Sequence, residues 1–301
     1  MKLPRAFRSP KPLAIASLLA LSGCGQILDP AGPIGAGERT ILLDSLAIML
    51  CIIVPVIVLT LGFAWWYREG NARATYRPDF VYSGRIELVV WAIPLLTIMF
   101  LGGIAWIGSH DLDPPKPIEA KAATMDVQVV SLDWKWLFIY PGQGVASVNH
   151  LVVPAGVPVR FHITSASVMN AFFVPRLGSM IYAMNGMETK LNLMADRPGR
   201  FLGLSSHFSG DGFPGMRFDV DAVPQARFGR WVRQAKGAGP VLDRAGYDAL
   251  ARQSSDEPQR TYAAVQPGLF DAIVAQRIPP AAGPTTGQGG PGVSPRPQGS
   301  I

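Results

Sequence analysis

Cysteine is nearly absent from this chain of 301 residues. The two cysteines, Cys24 and Cys51, both lie in apolar stretches near the N-terminus, and none follows residue 51. A blue-copper site needs a thiolate with two imidazoles, and a binuclear copper centre needs two bridging thiolates. The sequence after residue 51 can therefore build neither site, and it offers no pair of cysteines for a disulfide.

Charged residues are also scarce, because they make up 16% of the chain, against roughly 25% in soluble globular proteins. Hydrophobic residues make up 49% and are concentrated before residue 110, which indicates membrane segments rather than an oversized core. The excess behind the net charge of +6 lies in the N-terminal leader, near residues 68–85 and in the C-terminal region. Residues 124–222 hold seven basic and seven acidic side chains, with no basic patch interleaved with aromatic residues. This pattern speaks against nucleic-acid binding.

The first residues have the pattern of a secretory signal. An apolar run over residues 13–20, too short to span a bilayer, follows four basic residues: Lys2, Arg5, Arg8 and Lys11. The run leads to Leu21-Ser22-Gly23-Cys24, which resembles a bacterial lipobox and implies that Cys24 is lipidated after removal of the signal peptide. The alternative is an ordinary signal peptide or an uncleaved anchor. Because one acyl group binds membranes weakly, a second anchor is expected.

Two later stretches predict that second anchor. Ser45 to Trp66 and Leu88 to Ser109 each contain 22 residues without a charge, enough to cross a bilayer as a helix. The residues between them include four arginines, whereas residues 25–44 include one, so the connecting loop is predicted to be cytoplasmic: Arg68, Arg73, Arg77 and Arg85 against Arg39. The N-terminus and everything after Ser109 are then predicted to be periplasmic.

From Thr124 the pattern changes to short runs rich in Val, Phe, Tyr, Trp and Thr, separated by Pro and Gly turns. This spacing predicts an all-β sandwich of about a hundred residues. The predicted strands are Val127–Val130, Trp134–Tyr140, Val148–Val153, Val159–Thr164, Thr189–Met194 and Arg217–Val220. Helices are predicted from Gln225, over Leu242–Leu250 and over Leu269–Ala275. Twelve of the 24 residues from Ile278 to Ile301 are Pro or Gly, which predicts disorder.

Together these patterns predict a two-helix transmembrane hairpin, an all-β sandwich and short C-terminal helices. The predicted segments are a lipoprotein signal peptide (1–23), a periplasmic N-terminal segment (24–44), the first span (45–66), a cytoplasmic loop (67–87), the second span (88–109), a linker (110–123), the sandwich (124–222), a helical region (223–277) and a disordered tail (278–301).

Several segments of the sandwich resemble subunit II of the haem-copper terminal oxidases. They are Asp133-Trp134-Lys135-Trp136, residues 167–175 and residues 203–210. Residues 176–179 and 181–184 make the resemblance closest to the quinol-oxidising branch, the cytochrome bo-type ubiquinol oxidases. The resemblance covers about residues 20–275 and implies that the sandwich is cupredoxin-like.

In the branch that oxidises cytochrome c, this sandwich holds a binuclear copper site. The resemblance places the matching ligand positions at Asn170, Ser205, His207, Ser209, Phe213 and Met216, of which only Met216 retains the ligand type. Hydroxyl groups are poor ligands for a soft metal, and a phenyl ring cannot ligate at all. The histidines His110, His150, His162 and His207 lack the close spacing of a metal site. We therefore expect no metal in this chain.

The resemblance implies a subunit of a proton-pumping ubiquinol oxidase in the bacterial inner membrane. The haems, the copper and the ubiquinol site would belong to subunit I, which this chain would anchor and cover, beside subunits III and IV and membrane lipids. The chain would carry no redox centre and no catalytic residue. Without copper beneath it, Trp134 is expected to pack the sandwich against the complex, and the balanced charge of the domain predicts no docking of cytochrome c.

Glu87 stands at the predicted cytoplasmic start of the second span. A carboxylate in the first turn of a helix is stabilised by the helix dipole and can pair with Arg85, which would be a purely structural role. An ionisable group at a bilayer edge can instead collect protons for a transfer chain. The resemblance favours proton entry, because the matching glutamate of related oxidases lies at the mouth of a proton-uptake channel of subunit I.

Two other functions remain open at this point. An electron-transferring subunit II of a cytochrome c oxidase would require the two thiolates and both histidines, and all four positions are substituted. A non-enzymatic membrane lipoprotein that assists oxidase assembly would leave Glu87 and the matched oxidase segments unexplained. Isolation together with haem subunits would distinguish the oxidase from the lipoprotein.

Overall fold

The computed structural model describes residues 25–75, 77–281 and 283. The proposed lipidation site Cys24 and the tail from residue 284 lie outside these residues. The described chain divides into two compact units, one formed by residues 37–116 and the other by residues up to 36 and from 117 onward. Each unit is described by itself.

Two long helices make up most of the first unit. A short helix α1 (Gly25–Leu28) precedes α2 (Pro33–Trp66), and α3 is Gly84–Asp111. Both long helices are apolar enough to cross a membrane, and each has one proline in its interior, Pro55 in α2 and Pro94 in α3. Their large side chains are exposed along most of their length. The two helices approach closely near Gly108, where an added Cβ would lie 2.5 Å from Cδ1 of Ile41.

Helix α2 begins well before the predicted span. The prediction counted only uncharged residues and began at Ser45, whereas the helix also includes Glu38, Arg39 and Asp44. A proline at the first helical position suits this start, because its missing N–H has no partner in the first turn of any helix. Part of the predicted N-terminal segment 24–44 is therefore helical.

The second unit contains a β-sandwich. Its strands are β1 (Met125–Leu132), β2 (Lys135–Tyr140), β3 (Val145–Val148), β4 (His150–Pro154), β5 (Val159–Ser165), β6 (Asn170–Phe173), β7 (Ile181–Ala183), β8 (Thr189–Leu193), β9 (Gly199–Ser205) and β10 (Arg217–Val223). A further strand, β12 (Arg260–Tyr262), comes from the C-terminal region. A six-stranded sheet has the order β12-β3-β2-β1-β5-β8, and a five-stranded sheet has the order β4-β10-β9-β6-β7. The pairs β1–β5 and β4–β10 are parallel, and the other pairs in these sheets are antiparallel.

One predicted strand is in fact two strands in different sheets. The run Val148–Val153 is broken at Asn149, whose φ of 53° ends β3 in one sheet and lets β4 begin in the other. The side chain of Asn149 accepts a hydrogen bond from the backbone N–H of Trp136 at 2.8 Å and donates one to the carbonyl of Glu257 at 2.9 Å. Strands β6, β7 and β9 were not predicted.

The six-stranded sheet is covered on both faces. Alternate residues of β1 and β2, such as Val129 and Phe138, enter the core between the two sheets, where Phe172 and Phe218 stack with ring centroids 5.2 Å apart. The other alternate residues, such as Leu137, enter a second core against the C-terminal region. This explains why Lys135–Tyr140 is buried at every position instead of alternating with polar residues.

From residue 242 onward the C-terminal region covers the outer face of that sheet, whereas the buried side chains of its first helix join the core between the two sheets. It contains α4 (Gln225–Ala238), β11 (Val241–Leu242), α5 (Arg244–Leu250), β12 (Arg260–Tyr262), β13 (Ala264–Val265) and α6 (Leu269–Val274). The three helices match the predicted ones, but β12 extends the sandwich itself, so residues 223–277 are not purely helical. The packed chain also reaches into the predicted tail, since Ile278 is buried and the N–H of Ala281 donates to the carbonyl of Ala166 at 2.9 Å.

Candidate functional site

The positions that match copper ligands in related sandwiches lie around the end of β9. Asn170 begins β6, Ser205 ends β9, and Met216 directly precedes β10. All three are buried. Ser205 Oγ donates to Asn170 Oδ1 at 3.2 Å, and the N–H of Ser205 donates to the carbonyl of Met216 at 3.1 Å. The structure thus brings these three positions together and satisfies the serine and asparagine side chains with each other.

The remaining three positions lie on the loop between β9 and β10. The ring of His207 packs edge-on against Tyr182 with centroids 5.8 Å apart, and the ring of Phe213 packs against Phe208 at 5.7 Å. Ser209 uses its carbonyl to accept a hydrogen bond from the indole of Trp134. Its Oγ is buried and has no hydrogen-bond partner within the described part of the chain.

This donor set does not fit a copper centre. An amide, two hydroxyls and one thioether surround the positions where copper would need thiolates and imidazoles, and hydroxyl groups bind soft metals poorly. Across residues 25–75, 77–281 and 283, no group of three or more His, Cys, Asp or Glu side chains is placed to hold a metal ion. We derive no chemical step through copper bound to this chain.

Two histidines of the sandwich lie within hydrogen-bonding distance of carboxylates. His150 Nε2 lies 3.0 Å from Asp221 Oδ2, and Arg200 pairs with the same carboxylate at 3.0 Å. Burial raises the pKa of Asp221, but the hydrogen bonds from Arg200 and His150 outweigh it and hold the pKa below its ordinary value. Contact with the carboxylate of Asp221 gives His150 a structural role.

His162 is the second such histidine. Its ring nitrogens lie 2.8 Å from Glu188 Oε1 and 3.2 Å from Asp126 Oδ1. The hydrogen bond from Arg160 holds the pKa of Asp126 below its ordinary value. At the end of α3, His110 Nδ1 lies 2.7 Å from the carbonyl of Trp106.

Trp134 packs against its own domain. Its φ is 63°, its side chain is only 7% exposed, and its Nε1–H donates to the carbonyl of Ser209 at 2.9 Å. A Cβ on Gly212 would lie 2.1 Å from the indole, so only glycine fits beneath the ring. The ring therefore holds the loop that carries the former ligand positions, and the packing of Trp134 against a partner subunit stays a prediction.

Two buried charged residues beside Trp134 were not identified from the sequence. Asp133 accepts a hydrogen bond from Ser167 Oγ at 2.5 Å, and burial raises the pKa of its carboxyl. Lys135 Nζ donates to the carbonyl of Arg252 at 2.7 Å and to Ser254 Oγ at 2.5 Å, while burial lowers its pKa. The signal was present in the sequence, since both charges stand between otherwise apolar runs. Lys135 attaches the sandwich to its C-terminal region, whereas Asp133 bonds to Ser167 within the sandwich.

A cluster of exposed apolar side chains surrounds the former ligand positions. We call it the methionine-aromatic surface, and it consists of Met169, Met180, Tyr182 and Phe208, which are between 39% and 56% exposed. Met180 Sδ accepts a hydrogen bond from Ser206 Oγ at 2.6 Å, and the other members adjoin Asn170, His207 and Phe213. Exposed apolar patches of this kind mark interaction sites in soluble domains.

Glu87 lies in the first turn of α3 and is exposed. Its N–H donates to the carbonyl of Ser83, the residue that caps the helix. The geometry agrees with the favourable placement of a carboxylate at a helix N-terminus, and it leaves the carboxyl accessible.

Comparison with known proteins identifies the family. Residues 127–223 match the family model of the cytochrome c oxidase subunit II periplasmic domain, and residues 236–280 match the COX aromatic-rich motif. The chain is 48% identical over 265 residues to ubiquinol oxidase subunit 2 of Acetobacter aceti, covering 87% of this chain and 86% of that one. It is 46% identical over 263 residues to cytochrome bo(3) ubiquinol oxidase subunit 2 of Pseudomonas putida, covering 87% and 84% of the two chains.

Among solved structures, the periplasmic domain of subunit II of the cytochrome oxidase of Bradyrhizobium japonicum is 26% identical, with a TM-score of 0.38. The alignment covers 40% of this chain and 98% of that one. The family model confirms the predicted fold class, a two-helix hairpin followed by a cupredoxin-like sandwich. With nearly half of the residues identical over most of both chains, the protein belongs to the family of ubiquinol oxidase subunit 2.

Proposed function

We propose that this chain acts in its respiratory quinol oxidase as a subunit without a redox centre. The observation that carries the proposal is the donor set at the former ligand positions, where Ser205 and Asn170 hydrogen-bond to each other and Phe213 offers no donor. Haems, copper and the ubiquinol site then belong to subunit I, where ubiquinol is oxidised and oxygen is reduced to water. Electrons reach the haems without crossing this polypeptide.

The same proposal assigns the chain the role of anchoring and covering subunit I, with subunits III and IV completing the complex. The methionine-aromatic surface supports it, because such a surface on the sandwich is stabilised when a partner covers it. Docking of a basic cytochrome c is not expected. Trp134 is buried, and residues 124–222 carry equal numbers of basic and acidic side chains.

We place the chain in the inner membrane with its sandwich in the periplasm. The two apolar helices α2 and α3 and the arginines between them support this orientation. Lipidation of Cys24 would add a further anchor at the N-terminus and contact membrane lipids directly.

Metal analysis of the purified complex tests the absence of a redox centre. We expect Met216→Leu, which removes the one retained ligand type, to leave copper per haem, the visible spectrum and oxygen consumption unchanged. Met187→Leu, at an exposed methionine, is the matched control for loss of a thioether. Loss of copper or of a purple absorption band in Met216→Leu alone would show that the sandwich binds copper.

We further propose that Glu87 assists proton entry. Its exposure at the start of α3 supports this role, because a carboxylate at the bilayer edge can exchange protons with the cytoplasm. Glu87→Ala is expected to slow oxygen reduction while ubiquinol binding is retained. Glu69→Ala, which removes another exposed carboxylate from the same predicted loop, should leave turnover unchanged. Equal turnover in both variants would remove Glu87 from the mechanism.

A further inference from the structure

Helix α4 presents one apolar face and one cationic face. Phe228 and Ala235 are buried in the core of the sandwich, and Trp231 packs against Tyr140 with ring centroids 5.0 Å apart. The exposed positions include four basic residues at intervals of three, namely Arg227, Arg230, Arg233 and Lys236. At about 100° per residue, this spacing winds the four cations over the half of the helix opposite the core. We call these four residues the α4 cationic face.

Nothing in the described chain neutralises this face. Helix α4 contains no Asp or Glu, and no ion pair or side-chain hydrogen bond involves its four cations within residues 25–75, 77–281 and 283. The segments outside these residues cannot supply the missing charge. Residues 1–24 and 284–301 contain basic residues but no Asp or Glu. This chain therefore supplies no acidic partner for the face, and a protein that pairs with it has to be another chain.

A cavity of about 300 Å³ adjoins the first half of the face. Arg227, Arg230, Trp231 and Gln234 of α4 form one side of it, and His150 and Asp221 form the other. The carboxylate of Asp221 is already paired with Arg200 and His150, which leaves the two arginines of α4 available to an incoming anion. Arginine suits a carboxylate, because its planar guanidinium can donate two parallel hydrogen bonds.

A bilayer surface fits this arrangement less well than a protein does. Helices that bind membranes insert a free apolar face, whereas the apolar face of α4 is already buried in the sandwich. The four cations also wind around the helix instead of facing one plane, and the cavity is concave. These features suit a protruding acidic segment that follows the helix and places one carboxylate in the cavity.

We propose that the α4 cationic face is a docking site for an acidic segment of a partner protein. This docking site shares no residue with the methionine-aromatic surface. It would bind its partner through charge, whereas the methionine-aromatic surface would bind through apolar contacts. Residues 224–235 also lie between the ranges that match the two family models. Three of the site's four cations, Arg227, Arg230 and Arg233, therefore lie in a part of the chain that neither family model covers.

A labelled peptide of ten glutamates provides the probe for this site. The purified oxidase complex is placed in nanodiscs of phosphatidylcholine, which carry no net charge, and binding is measured by fluorescence anisotropy at about 20 mM salt, where screening is weak. We expect the wild-type complex to bind the peptide and Arg227→Glu/Arg230→Glu to bind it about tenfold more weakly or worse. Oxygen consumption should not change, since neither residue belongs to the proposed redox or proton path.

The matched control is Arg217→Glu/Arg252→Glu, which changes the net charge equally at two exposed arginines outside α4. It should keep peptide affinity within about twofold of the wild type. Equal weakening in both double variants would show attraction to net charge alone and overturn the proposal. So would failure of the wild-type complex to bind the peptide. Vesicles of phosphatidylglycerol form the last arm, and selective binding to them without peptide binding would show a lipid site instead.

Discussion

The two long helices and the sandwich use similar apolar residues in opposite ways. Phe100 on α3 is 66% exposed, whereas Phe172 at the centre of the sandwich is fully buried. A helix pairs its backbone groups internally and can therefore turn apolar side chains toward lipid. A sandwich pairs its strands with each other and buries apolar side chains between sheets. A high content of apolar residues therefore does not by itself show where a core lies. The free-energy cost of exposing an apolar side chain depends on whether water or lipid surrounds it.

Truncating a phenylalanine to alanine in each region should give the largest difference between the sandwich and the membrane helices. Phe172→Ala removes a ring that packs against Trp136, Phe161 and Phe218, so we expect a loss of about 3–5 kcal/mol in the stability of the sandwich. Phe100→Ala should cost less than about 1 kcal/mol, because lipid tails contact that position before and after the helices pack. Urea-dependent proteolysis of the purified complex measures both, and equal losses would break the comparison.

Adding a charge should be costly in the membrane helix and nearly neutral beside the sandwich, the opposite of the order expected for the phenylalanine truncations. Two valines of similar exposure test this. Val56 in α2 is 55% exposed and Val241 beside the sandwich is 58% exposed. Val56→Lys should disfavour membrane insertion by about 2.5–3.5 kcal/mol, the cost of a lysine near the centre of a span. Val241→Lys should change stability by less than about 0.5 kcal/mol. Membrane fractionation and protease protection measure insertion, and normal insertion of the Val56 variant would contradict the assignment of α2.

The tryptophan side chain combines an apolar ring with one polar N–H group. Replacing it by phenylalanine keeps an aromatic ring and removes the N–H, so the substitution tests the role of that hydrogen bond. Trp134→Phe removes the bond to the carbonyl of Ser209 and should cost about 1–2 kcal/mol, with faster amide exchange over residues 205–216. Trp106→Phe on α3, where the indole is 69% exposed, serves as the control and should leave that loop unchanged. Exchange rates that do not differ between the variants would show that the indole does not hold the loop.

The smallest expected effect concerns ion pairs between side chains. The sandwich contains such pairs, whereas residues 45–66 and 88–109 cannot form them because they hold no Asp, Glu, Lys or Arg. The pKa of Asp221 is lower in the folded state than its ordinary value of about 3.9. Its stabilising contribution is therefore present above that value and is lost as pH falls through the folded pKa. Asp221→Asn should therefore flatten the dependence of folding stability on pH below about 4, measured by urea denaturation over a series of pH values.

The elements that the sequence predicted best are those whose residue pattern is local and does not depend on residues far away in the chain. Continuous apolar runs indicated both membrane helices, and β-branched runs between turns indicated β1, β5, β8 and β10. Strands β6, β7 and β9 were missed because glycine, polar and aromatic residues interrupt their pattern. Only pairing within the five-stranded sheet makes them strands, since β7 pairs with β6, β6 with β9 and β9 with β10. The break at Asn149 depends on side-chain bonds to residues far away in sequence, which no local pattern reveals.

For the candidate site, the sequence indicated which ligand groups are missing and which residues stand in their place, but not how those residues interact. The substituted positions followed from the resemblance, and their chemistry argued against copper. The hydrogen bond between Ser205 and Asn170 and the packing of Trp134 on Gly212 depend on the fold and could not be predicted. The buried pair of charges in Asp133-Trp134-Lys135 was visible in the sequence, but its partners Ser167 and Ser254 were not.

Asn149 has a consequence for the order in which the protein matures. Its carboxamide joins the N–H of Trp136 to the carbonyl of Glu257, a residue 108 positions later. During synthesis and export the early strands emerge long before that carbonyl, so until it arrives only water can accept the hydrogen bond that the amide later donates to Glu257. The sandwich is therefore completed only when the C-terminal segment arrives. A nascent chain halted before residue 257 should be degraded by extracytoplasmic proteases, even though its ten central strands have already been translated.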